Sequence, residues 1–143
     1  EAVDADCKII LDHPWHILNA LYGKGSVDGI PEVYGRYRIH SHSFGGQTKR
    51  SPERREQVLA DQLKACDNAR PFGIADSVIA AGKAHYRFAT ALYFLKQGDV
   101  ARFERFINES VVDGCFFDER HQLAWENRAQ PTIVAQQLFG VSQ

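Results

Sequence analysis

The strongest constraint in this chain is a single stripe: Ile74, Val78, Ala81, His85, Phe88, Leu92 and Leu95 recur at steps that alternate between four and three residues. Only an α-helix brings side chains at that spacing onto one face. Asp76 is placed to cap the start, and Gly98 to end the helix in the left-handed conformation. Asp99 at once restarts a helix, with Phe103, Phe106, Ile107 and Val111 on its inner side and Gly114 at its end. A link this short forces the two helices back against each other as an antiparallel hairpin. Phe88, Leu92, Phe103, Phe106 and Ile107 are then expected at the centre of the core, with Leu92→Ala costing about 2–5 kcal/mol. His85, on the stripe, is expected as a buried imidazole satisfied by one hydrogen bond.

The Ala84–Asn108 hairpin with its Gly98-Asp99 turn resembles one unit of a tetratricopeptide-type repeat. It covers about one-fifth of the chain and has no second copy, and solenoids need several stacked units. It is therefore read as a generic helical hairpin. Around it, Ser51-Pro52-Glu53 is a helix start, carried forward by Leu59, Leu63 and Cys66 until Pro71. A last helical stretch begins near Asp118, breaks at Pro131 and resumes through Ile133, Val134 and Leu138 to Gly140.

The first third is less regular. Pro14 starts a short helix through Ile17, Leu18, Leu21 and Tyr22, which Gly23 or Gly25 stops. Val33 to Phe44 alternates, so an extended segment would bury Val33, Tyr37 and Ile39 and present Arg36, Arg38, His40 and His42 on its other side, with Gly45-Gly46 closing the run. The expected fold is all-α dominated: one domain over 1–143, a compact helical bundle with a central αα-hairpin and at most a small strand or extended segment near 33–44.

Charge narrows the function classes. The net charge of -1 hides a segregation: residues 1–35 carry six acids against Lys8 and Lys24, while residues 36–56 carry Arg36, Arg38, Lys49, Arg50, Arg54 and Arg55 against two glutamates. The 24% of charged residues nevertheless balance to -1 overall, which excludes a disordered acidic tail or a histone-like chain, and the 44% apolar content is that of a packed globule. No apolar run reaches the ~18 residues of a membrane span, so no membrane association is expected. The chain lacks methionine and starts at Glu1, which predicts proteolytic release, either by signal-peptide removal or from a longer precursor. Cys7, Cys66 and Cys115 form no paired motif and are read as separately buried thiols, one bridge with a free thiol being the pattern of an exported chain.

His40-Ser41-His42 and the Asp12, His13, His16 group have chelating spacing, but no established ligand motif accompanies them, and neither metal nor cofactor is expected. Arg36, Arg38, His40, His42, Lys49 and Arg50 are the candidate binding residues. Side by side, such cations need an answering anion: a phosphate, an acidic partner, or the chain's own Asp4, Asp6 and Asp12. Nine phenylalanines, five tyrosines and two tryptophans offer anchors for a protein partner or a second copy of the chain. The favoured reading is a non-catalytic protein-interaction or regulatory domain of inhibitor, immunity-factor or adaptor type. The alternative is a small phosphodiester hydrolase or nucleic-acid-binding protein using His40, His42 and the neighbouring arginines.

Overall fold

Ser51 opens a long run of helix in the way its chemistry dictates. Its hydroxyl oxygen accepts the Arg54 N–H at 3.2 Å, its own proton goes to Glu53, and Pro52 occupies the first helical position. In the computed structural model, which describes His16, Asn19, Ala20, Tyr22, Gly23, His40 and residues 43–48, 50–111 and 116–140, six α-helices follow one another. They are α1 (Phe44–Thr48), α2 (Pro52–Asp67), α3 (Asp76–Lys96), α4 (Val100–Ser110), α5 (Glu119–Glu126) and α6 (Pro131–Phe139), with a 3₁₀ turn at Arg70–Phe72 between α2 and α3. Among the described residues there is no strand. His16, Asn19, Ala20 and Tyr22 are helical, and the Gly23 N–H closes back on the Asn19 carbonyl at 2.8 Å.

The central hairpin forms as the Gly98-Asp99 pair requires. Gly98 takes φ +75°, which a side chain would strain; its N–H reaches the Leu95 carbonyl and the Asp99 N–H reaches Phe94, so the open carbonyls at the end of α3 are satisfied. The Asp99 carboxylate then accepts the Arg102 N–H at 3.0 Å and pairs with its guanidinium at 2.8 Å. Asp99→Ala is expected to cost about 1 kcal/mol, because a capping acceptor is lost at a positive helix end. A thermal or urea midpoint indistinguishable from the parent would show that the cap is idle. Asp118 caps α5 in the same manner, accepting the His121 N–H at 2.7 Å, and Pro131 begins α6, which Gly140 ends at φ +65°.

The core gathers one stripe from each long element. Leu59 of α2, Phe88, Ala91, Phe94 and Leu95 of α3, and Phe103, Phe106 and Ile107 of α4 pack with Ala124 of α5 and Val134 of α6. Phe94 and Phe106 stack 5.5 Å apart across the hairpin. Arg102 ties α4 to α2 through Glu56 at 2.8 Å, half-exposed and so worth little singly, but shared with Asp99 and Glu53.

Several expectations change on folding. The inward face of α3 is rotated over its first half: Ile79 and Ala84 are buried, whereas Val78, Ala81 and His85 are exposed. On the same stretch Gly82 lies against Cys66 of α2, with 3.4 Å between that sulfur and a Cβ placed at Gly82. His85 is therefore a surface ring lying edge-on to Phe117 at 5.2 Å, not a core imidazole. Leu92 is only partly buried, at the margin of the core rather than its centre. Asp76 does not cap α3; Ala75 holds that position, and the Asp76 carboxylate takes the Arg70 Nε–H at 2.9 Å. The alternation read to Phe44 stops earlier, since Ser43 turns the chain and Gly45-Gly46 lie inside α1. The Ser43 N–H and hydroxyl both donate to the His40 carbonyl, at 3.0 and 2.7 Å, and a Cβ on Gly46 would collide with that oxygen. Most of the 33–44 segment lies outside the described residues, as do Cys7, Cys115 and Gly114.

Candidate functional site

Of the candidate binding residues, His40 and Arg50 are described, and both are exposed. His40 holds the turn before α1 through its backbone, leaving its ring at the surface. Arg36, Arg38, His42 and Lys49 lie outside the described residues. His16 is likewise exposed, and among the described residues no three metal-ligating side chains come together. No helix among them is long and apolar enough to cross a membrane.

The basic segment nevertheless leads into a cavity. Thr48 and Arg55, on either side of Arg50, line a cleft of about 680 Å³ between α2, α3 and α6. Val58, Leu92, Tyr93, Leu138 and Phe139 make its walls apolar, and Ala89 leaves room on the α3 side. The periodicity of α3 explains the location: Ala89, Leu92, Tyr93 and Lys96 share the helix face next to the core stripe, and short Ala89 cannot fill the gap to α6. The Tyr93 hydroxyl donates to the Thr48 carbonyl at 3.3 Å, joining the end of α1 to this wall.

Three cations line the cleft: Arg55, Lys96 and Arg120. The Arg55 Nη2 donates to the fully buried Thr90 hydroxyl at 3.0 Å, and its guanidinium lies 5.5 Å from the Tyr93 ring centre. Its Nε is buried with no hydrogen-bond partner, and burial holds the group below its ordinary pKa. Lys96 lies over the Phe139 ring at 4.3 Å. Elsewhere Arg70, Lys83, Arg87, Arg102 and Arg105 all meet carboxylates. At the cleft, no acidic residue is among the described lining residues. The site thus combines apolar surface with cations that the described part of the fold leaves without counter-charge.

A second arrangement has the outward look of a catalytic pair. His121 Nε2 lies 2.7 Å from the Ser110 Oγ, but both residues are fully buried. The serine proton goes to the Ile107 carbonyl at 2.7 Å, so the histidine must donate to the serine. That is the reverse of base activation, and no substrate can reach a serine closed under Phe88 and Phe117, whose rings lie 4.9 and 4.6 Å from the imidazole. Cys66 is a buried, free thiol whose pKa burial raises, which opposes thiolate chemistry. The chain matches no protein-family model, no curated protein and no solved structure.

Arg55 belongs to the basic segment but not to the candidate binding residues, and Lys96 and Arg120 lie outside both. No local signal could have joined residues 55, 96 and 120, because only helix packing brings them to one cavity.

Proposed function

We propose that this chain is a non-catalytic protein-interaction domain that recognises an acidic partner through the basic face running from Arg50 along α2 to the cleft. The observation that carries the reading is a contrast in charge pairing: Arg70, Lys83, Arg87, Arg102 and Arg105 each meet a carboxylate, whereas Arg55, Lys96 and Arg120 line an apolar cavity with no acidic residue among its described lining. Removing a guanidinium partly from water costs free energy that an incoming carboxylate offsets. Opposite charge also accelerates encounter and penalises basic partners.

The charge reversal Lys96→Glu with Arg120→Glu is expected to weaken binding to acidic peptides by about tenfold or more, equivalent to about 1.4 kcal/mol. Raising salt from about 0.05 M to about 0.5 M should weaken the parent protein in the same sense. Fluorescence anisotropy with acidic and basic peptides of equal length checks both. Equal affinity for the two peptides, or indifference to the reversal, contradicts the reading.

A further inference from the structure

We propose that the cleft between α2, α3 and α6 anchors one apolar side chain of an acidic partner segment, whose flanking carboxylates meet Arg55, Lys96 and Arg120. The inference rests on the interaction reading above and adds the chemistry of the occupant. A cavity of about 680 Å³ lies within the size range of ligand clefts and is roomy enough for an apolar anchor together with the peptide backbone that carries it. Its walls are aliphatic and aromatic, so a polar polyanion such as nucleic acid would leave them wet and gain only the charge contacts. A wholly apolar occupant would bury Arg55 further and supply nothing for its unpartnered Nε.

The distribution of charge decides between a compact amphiphile and a peptide. The cations come from three elements: Arg55 from α2, Lys96 from the end of α3 and Arg120 from the start of α5. A peptide segment with acids on both sides of its anchor offers a separate carboxylate to cations that come from three different elements. Burying the anchor's apolar surface supplies affinity, and the carboxylates supply register and selection against basic sequences.

Two labelled peptides test this on the full chain by fluorescence anisotropy: one rich in glutamate with a central phenylalanine, the other with serine in its place. The parent protein is expected to bind the phenylalanine peptide about tenfold more tightly. Ala89→Trp, which fills the cleft, should abolish that preference while binding of the serine peptide persists; Lys96→Glu should weaken both. Circular dichroism verifies folding, and Ala89→Leu replaces the tryptophan variant if the larger ring prevents it. Equal binding of the two peptides by the parent, or a preference that survives filling of the cleft, overturns the anchored occupant while leaving an acidic partner intact. Failure of both peptides to exceed a basic control overturns the acidic partner itself. Binding of dodecanoate in the absence of peptide binding would assign the cleft to a small amphiphile and overturn the inference.

Discussion

Phe94→Ala is expected to lower the unfolding free energy by about 3–5 kcal/mol. Phe94 is completely buried, stacks on Phe106 of α4 and carries the Arg102 guanidinium 5.4 Å above its ring. One truncation therefore removes contacts on both arms of the central hairpin and leaves a cavity that two rigid helices cannot close. Leu92→Ala should cost distinctly less, because Leu92 borders the cleft and already has space on one side. Urea unfolding of the two variants checks the order as well as the size. A Phe94 variant losing less than Leu92→Ala would place the centre of the core elsewhere.

Acidification should destabilise the protein before its carboxylates titrate, and His121 is the reason. Its ring is sealed under Phe88 and Phe117, it gives its Nε2 proton to Ser110, and its Nδ1 has no partner. Burial holds the imidazole below its ordinary value of 6.5, with Asp118 opposing weakly. The unfolded chain consequently takes up the proton first. The stabilisation is complete above about pH 6.5 and is lost as pH falls toward the lower folded value, with a slope of up to about 1.4 kcal/mol per pH unit. Glu53 and Asp99 act in the same direction, but they are held below 4.5 and 3.8 by hydrogen bonds, from the Glu53 backbone N–H and Ser51 in one case and from Arg102 in the other. Of the described groups that the fold moves off their ordinary values, His121 is the one whose effect begins above the carboxylate range. His121→Phe keeps a ring in the aromatic box and should flatten the stability profile there. Parallel profiles for parent and variant would assign the acid sensitivity to another group.

Much of the helical organisation was legible in the residues. Ser51 caps a helix as read and Pro52 starts it; helices begin at Asp99 and near Asp118 where expected, both residues serving as caps; Pro131, read as a break, opens α6; and Gly98 and Gly140 end helices at positive φ. Phe88, Phe103, Phe106 and Ile107 are buried as the spacing required. The misread elements share a cause. Asp76, the His85 stripe and the Gly45-Gly46 end follow local pattern in the sequence, whereas in the fold Asp76 pairs with Arg70, α3 meets Cys66 of α2 at Gly82, and Gly46 packs on the His40 carbonyl.

The candidate site divides along the same line. The sequence alone determined that bases concentrate in residues 36–56 and that helices begin and end at particular capping residues, because charge composition and backbone capping act over one turn of chain. Only the tertiary structure decided that Arg55 would share a cleft with Lys96 and Arg120, that Ala89 would leave it open, and that His121 would be shut inside aromatic rings. Burial is a property of which helix faces meet, and a 21-residue helix such as α3 offers more than one apolar face; its partners select among them through packing that no local pattern records.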